Sequence, residues 1–511
     1  MSKSRTVKAS RNIAVGILSK ALLMIIAFMT KTVFIRLLGV EYNGVGGLYT
    51  NILSVLAVTE LGVGNVLNFY LYGALKKDDK ELIRQLVGYF RRVYHIIAFI
   101  ILTLGICLIP FLKYILNSTL PMEELVMYYI LYLINSIVSY FAIYKTSVTL
   151  ADQNGYLSNV CETIATFIMY GLQIAYLMKF KNFVGYLIIQ IFCTILKNVI
   201  LTIITNKRYP WLNAKTEFQH HFNEKNRIWS DVKATFIYKI SSTVVTNTDN
   251  ILISALVGTV YVGFYSNYYM VITYISSFIS ILINGIMASL GDLNAEKNIA
   301  KSKQMFDIFT LLFSYLGIVS TTCFAIGIQH FIELWIGHQN VMSKWWVVVI
   351  SLNFYFNTVM SPSWMFRETC GLFKQVKYIF PIEAMLNIIF SVLLGRKYGV
   401  PGILISTLIA RMISQYWFEP LVVYKKVFQK KYSEFVLGTI KHFIELVICL
   451  LISFFITNMI DGKSIAILLI KLVIAAIISF SVTTILCFKT NSYRTLVEWI
   501  RNKMGTPDIQ M

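Results

Sequence analysis

Apolar residues run in long stretches along this chain, and polar residues gather in the short gaps between them. Each stretch is long enough to cross the roughly 30 Å of bilayer hydrocarbon as a helix. The pattern predicts spans at about residues 12–37, 46–74, 93–116, 125–150, 156–178, 183–206, 232–257, 261–290, 306–329, 344–366, 376–395, 400–424, 435–458 and 462–487. Helices satisfy their own backbone polar groups in lipid, so the expected fold class is an all-α integral membrane protein with about fourteen transmembrane helices.

The Lys and Arg residues fall in alternate gaps. About 32 of the 46 lie on one side, in the N-terminus, the loop Lys76 to Arg92, the stretch Lys207 to Lys233 and the tail, against about eight on the other. The positive-inside rule then places both termini in the cytoplasm. The composition, 57% hydrophobic and 14% charged, excludes a soluble globule. The net charge of +21 is spread over many short loops, which suits anionic lipid headgroups and leaves no single face for nucleic acid. The seven cysteines are mostly within spans and never form CxxC, so they read as small packing residues.

The largest gap follows six spans, so a second block begins in the orientation of the first and invites a test for duplication. A shift of 219 residues aligns the two blocks without a gap. It superposes Gly39-Val-Glu-Tyr42-Asn-Gly44 on Gly258-Thr-Val-Tyr261-Val-Gly263, a shared GxxYxG, and pairs Lys20 with Lys239, Tyr49 with Tyr268 and Asn65 with Asn284. The expected organisation is an N-lobe at 1–206, a basic cytoplasmic loop at 207–230, a C-lobe at 231–431, two further spans at 432–487 and a tail at 488–511. The lobes are expected to be six helices each in a pseudo-twofold arrangement, with two helices following.

A charge at bilayer depth costs at least about 2.5 kcal/mol on insertion scales, so Lys20, Lys31, Lys239 and Arg411 are expected to face protein or a wet cavity. Lys20 and Lys31 are three helical turns apart on one side of the first span. Lys239, Thr243, Thr246 and Asn250 make a polar stripe on the seventh, and Asn51, Ser54, Asn65 and Asn68 share a face of the second. With Asn284, these residues are the candidate substrate contacts, a polar inner surface of helices 1, 2, 7 and 8 suited to an anionic, hydroxyl-rich headgroup. Snorkelling toward the interface is the competing reading for Lys31, Arg36 and Lys471. Glu60 and Asp249 lie deeper and read as salt-bridge partners or coupling sites. Glu162, Glu383 and Glu419 stand near span ends and are expected to be solvated at the interface. Pro362, Pro381 and Pro420 are expected to bend their helices.

Several chemistries are excluded. No GxxxxGKS/T phosphate loop and no GxSxG elbow is present. No zinc spacing is apparent: His220 and His221 are adjacent, and His95, His330, His338 and His442 show no Cys or carboxylate partner in sequence. No catalytic residue, no metal site and no cofactor is therefore expected, with coupling to H+ or Na+ left open.

The segment IRLLGVEYNGVGGLYTNILSVLAVTELGVGNVLNFYLYGALKKDDKE, with its RLLGVEYNGVGGLY turn and ELGVGN stretch, and the Thr248-Asp249-Asn250 start followed by LVGTVYVGFYSNYY, carry a family resemblance. Over its whole length the chain resembles polysaccharide flippases of the Wzx type, in the multidrug/oligosaccharidyl-lipid/polysaccharide exporter superfamily. The resemblance implies a two-lobe, fourteen-helix, non-enzymatic transporter of the bacterial plasma (inner) membrane. It would move undecaprenyl-diphosphate-linked oligosaccharide repeat units for O-antigen, capsule or exopolysaccharide, beside a polysaccharide polymerase and a chain-length regulator. Two other classes compete with that reading. A drug or cation antiporter of the same superfamily would want acidic rather than basic groups inside, and a membrane polymerase or ligase would want a catalytic constellation and a sizeable outer loop.

Overall fold

The structure, a computed structural model, describes residues 2–60, 63–152, 155–213, 225–296 and 298–504, with side chains at 2–17, 58–59, 65, 69, 76, 155, 213, 225–239, 288, 295 and 499–504 left undescribed. Among the described residues there is helix and no strand. The main helices are α1 (Ser2–Leu38), α2 (Val40–Leu56), α3 (Val63–Lys76), α4 (Lys80–Leu108), α5 (Met122–Ser139), α6 (Ile143–Ala151), α7 (Gly155–Phe180), α8 (Phe183–Arg208) and α9 (Lys225–Leu256). They continue as α10 (Thr259–Ala295), α11 (Ile299–Ile336), α12 (Lys344–Val359), α13 (Ser361–Thr369), α14 (Ile379–Tyr398), α15 (Val400–Ile413), α16 (Gln415–Val423), α17 (Ser433–Asn458), α18 (Ile465–Cys487) and α19 (Asn491–Met504). Several start on side-chain caps that satisfy an orphan backbone donor: Asp79 accepts from Leu82 N at 2.9 Å, and Asn298 from Lys301 N at 3.1 Å.

Large apolar side chains on these helices point outward, among them Leu18, Phe99, Ile164, Phe455 and Ile485, as a lipid-facing surface requires. This is a multi-pass membrane protein. Among the described residues nine helices are long and apolar enough to span a bilayer, or ten if α5 and α6, bent by 43°, form one span. Several predicted spans are interrupted. The span at 46–74 is broken by a 3-10 turn, Ala57–Glu60, so Asn51 and Ser54 on α2 and Asn68 on α3 do not share one continuous helix face. The span at 344–366 breaks at Met360, where Pro362 opens α13. Pro381 makes no bend, because it stands in the first turn of α14, where its missing N–H is no loss. Pro420 lies inside α16, just before a π-helical turn at Tyr424–Phe428.

The chain forms two compact units, Met1–Gly263 and Phe264–Met511. In the first, α7 packs on α1 and α8, α8 on α5, and α9 on α2. Phe34, Tyr42, Tyr128 and Tyr186 gather edge-on or tilted around Phe183, with centroids 4.8 to 6.0 Å away. In the second, α11 is the axis, packed by α12, α17, α18 and α19, with Phe306 against Phe366, Tyr424 and Phe428.

The repeated turn is a structural fact in both copies. Gly39 and Gly258 both have positive φ, 98° and 143°, which glycine adopts without strain. Tyr49 and Tyr268 are both fully buried and both tie their hydroxyl to backbone at the entry of a following helix. Tyr49 donates to Leu125 O at 2.7 Å in α5, and Tyr268 accepts from Met342 N at 2.8 Å just before α12.

Candidate functional site

In the first unit, α1 is one unbroken helix, so Lys20 and Lys31 do project from the same side. Lys20 is exposed. Lys31 is partly buried and donates to Asn43 Oδ1, while Asn43 Nδ2 donates to Gly263 O at 2.9 Å. A cation singled out for substrate thus also fastens α1 to the repeated turn. The side chains of Lys239 and Asn65 lie outside the described residues.

The packing of α9 against α2 and α3 brings together the helices that carry Asn51, Asn68, Thr243, Thr246 and Asn250. Two of these side chains spend a polar atom on their own helix: Asn51 Nδ2 donates to Gly47 O at 2.7 Å and Thr246 Oγ1 to Ser242 O at 2.9 Å. Asn68 and Asn250 differ, since each holds a buried side-chain oxygen with no hydrogen-bond partner among the described residues. Such orphaned acceptors are costly to leave unmet, and a ligand hydroxyl or water satisfies them. Asp249 is buried on α9. Glu60 sits in the 3-10 break and receives a hydrogen bond from the Tyr140 hydroxyl, with Tyr94 beside both.

At the turn itself, Glu41 accepts three hydrogen bonds: Ser118 Oγ at 2.6 Å, Thr119 N at 2.7 Å and Thr119 Oγ1 at 2.7 Å. Partial burial pushes its carboxyl up, but these donors outweigh that and hold it below the usual carboxylate range.

In the second unit, Asn284 is exposed on α10. Arg411 is committed to a carboxylate: its Nε lies 3.4 Å from Glu383 Oε1. That pair belongs to a network the sequence reading missed. Arg367 on α13, 1% exposed, pairs with Glu419 on α16 and with Glu368, and its guanidinium lies 5.1 Å from the Phe380 ring centre. Ser414, at the break between α15 and α16, donates to Glu383 Oε2 at 3.5 Å. The expectation of interface-solvated carboxylates at Glu383 and Glu419 is therefore corrected: they are 3% and 2% exposed. A buried carboxylate is tolerated only when paired and hydrogen-bonded, which Arg411 and Arg367 provide. Arg367 stands one residue beyond the predicted span 344–366 and directly before Glu368 and Thr369, so the sequence pattern gives no sign of its burial. Glu162, by contrast, keeps its exposure, 3.7 Å from Lys197.

A second group was also missed. His442 Nδ1 lies 2.8 Å from Glu445 Oε2, and Cys487 Sγ lies 3.4 Å from Glu445 Oε1, all three residues buried. The reading of His442 as lacking Cys or carboxylate neighbours is corrected. Glu445 is one helical turn on, and Cys487 arrives from α18.

No protein-family model and no curated protein matches the sequence. Among solved structures, a lipid II flippase, MurJ, in an inward closed conformation, is similar at 14% identity with a TM-score of 0.64, covering 95% of this chain and 100% of that one. A multidrug resistance MATE family transporter of the MOP superfamily, inward-facing, matches at 13% identity and TM-score 0.54 over 78% of this chain and 95% of the other. A mutant form of the Vibrio cholerae MATE transporter VcmN matches at 15% identity and TM-score 0.56 over 83% of this chain and 99% of the other. The chain thus has the all-helical fold of these transporters.

Proposed function

We propose that this protein is a flippase that carries an undecaprenyl-diphosphate-linked oligosaccharide repeat unit across the bacterial plasma membrane by alternating access, for surface polysaccharide synthesis. The observation that carries the reading is the likeness to a lipid II flippase along 95% of the chain, against 78% and 83% for the MATE transporters. Charge supports it. A pyrophosphate wants cations, and Lys20 with its repeat mate Lys239 are the cations proposed to meet it. Sugars want amide and hydroxyl partners, and the orphaned oxygens of Asn68 and Asn250 are acceptors for sugar hydroxyls. Lys31, Asn51, Asn65, Thr243, Thr246, Asn284 and Arg411 complete the proposed contact set, with Lys31 and Arg411 shared with Asn43 and Glu383. Glu60 and Asp249 are the proposed sites for coupling to H+ or Na+. Both termini are cytoplasmic in this reading, and a polymerase and chain-length regulator act on the product.

The test is a double substitution, Lys20→Gln with Lys239→Gln, in the native cell. Surface polysaccharide is expected to disappear with protein level unchanged, while full export by that variant rejects the cationic contact. The MATE-like fold keeps a drug or cation antiporter as the second reading. Polysaccharide loss without any change in drug susceptibility on deletion decides against it.

A further inference from the structure

His442, Glu445 and Cys487 do not belong to the proposed substrate path, yet they bring three different metal-ligating atoms together in a buried place. Their ligand atoms all lie within 4.8 Å of one another. We propose that they form a zinc site that fastens α17 to α18.

The donor set is the first argument. One imidazole nitrogen, one carboxylate oxygen and one thiolate suit a borderline-soft divalent ion, and zinc accepts this mixture at four-coordinate sites. Spacing is the second. Zinc bonds of about 2.0 Å to N and O and 2.3 Å to S place tetrahedral ligands roughly 3.3 to 3.5 Å apart. Glu445 Oε2 stands 2.8 Å from the imidazole and Oε1 3.4 Å from the sulfur, with all three ligand atoms within 4.8 Å of one another, so seating the ion opens the His442 to Glu445 contact and sets the imidazole nitrogen and the sulfur at tetrahedral spacing.

Charge is the third argument. Lys441 Nζ lies 3.7 Å from both Cys487 Sγ and Glu445 Oε1, a cation set against the cluster. Its side chain is 42% exposed, so it leaves for solvent without disturbing the core. Zn2+ entering the site takes the place of that ammonium and of the Cys487 thiol proton, which passes to water. The products are a Zn–S bond, one released proton and a site in which two anionic ligands balance the ion. A neutral assembly between the middle of α17 and the C-terminal end of α18 is easier to bury than an isolated carboxylate.

Tyr355 is a candidate partner for a water in the fourth position. Tyr355 is fully buried, its hydroxyl has no hydrogen-bond partner among the described residues, and it is near enough for the Glu445 charge to act on it. A zinc-bound water would give that hydroxyl the partner it lacks. Tyr315, held to Thr484 at 3.1 Å, flanks Glu445 and Cys487 on the α11 side.

The experiment uses the full-length chain in detergent, tag removed and stripped by chelator, titrated with Zn2+ alone. One equivalent should bind with release of about one proton, and the thermal midpoint should rise with Zn2+. Cys487→Ser should weaken binding by more than the roughly 100-fold that outer partners command. Lys441→Ala, which removes only the competing cation, should bind more tightly. Co2+ in the unaltered protein should give a thiolate-to-metal absorption band, a readout that holds whether or not the serine variant folds. No stoichiometric Zn2+ uptake, uptake unchanged in Cys487→Ser, or a Co2+ spectrum without thiolate character overturns the proposal.

Discussion

Gly44 and Gly263, the closing glycines of the repeated GxxYxG turn, press backbone against backbone. A Cβ on Gly44 would stand 2.1 Å from Thr259 O and 2.9 Å from Gly263 N, and one on Gly263 would stand 2.1 Å from Val40 O and 3.1 Å from Gly44 N. The contact is reciprocal in the repeat register, because Val40 and Thr259 are themselves 219 apart. What the alignment detects as similarity is thus a close approach that only residues without a side chain allow.

Alanine at either glycine should lower stability by about 1–3 kcal/mol, since backbone atoms cannot rotate away from the added methyl. Gly171→Ala is the control. A Cβ there meets nothing within 4 Å, and helix propensity favours the change by up to about 1 kcal/mol. Thermal unfolding of the purified variants in one detergent checks the contrast.

Arg367 and Glu419 should behave as a unit. Arg367→Met leaves Glu419 buried beside no guanidinium and is expected to cost about 3–5 kcal/mol, whereas Arg367→Met with Glu419→Gln should recover much of that loss. Arg367→Lys should not rescue, because an ammonium does not reproduce a fork shared between Glu419 and Glu368. Expression level and thermal midpoint of the three variants read this out.

Glu41 gives a pH dependence of known sign. Its pKa in the folded protein is depressed, so the stability it contributes is present above the ordinary carboxylate pKa and is lost as pH falls through the folded value. Melting curves taken downward from about pH 6 should show a fall below about pH 4 that is shallower in Glu41→Gln, the variant being the less stable at neutral pH.

Apolar run lengths carried the helices and the repeat register carried the turn, because both depend on residues near one another in sequence or on a fixed offset. The repeat mates Tyr49 and Tyr268 keep matching roles for that reason. Breaks within spans were less legible. No proline or glycine stands within Ala57–Glu60, and Gly62 and Gly64 just after it read as part of a continuous span, so the pattern misses the 3-10 turn that separates Asn51 from Asn68. The buried networks were hidden for a different cause. Arg367 meets Glu419 across 52 residues and Cys487 meets Glu445 across 42, and a one-dimensional reading of depth placed Glu419 at the interface without its partner and did not single out Glu445.

The central claim is transport of a lipid-linked glycan, and it is tested most directly with the purified protein reconstituted in vesicles. Undecaprenyl-diphosphate-linked repeat unit is placed in the membrane, and its exposure to a glycan-modifying enzyme on one side is followed in time. The account predicts exposure of the protected pool with the unaltered protein and not with Lys20→Gln/Lys239→Gln. A protected pool that stays protected in the presence of folded, unaltered protein contradicts it.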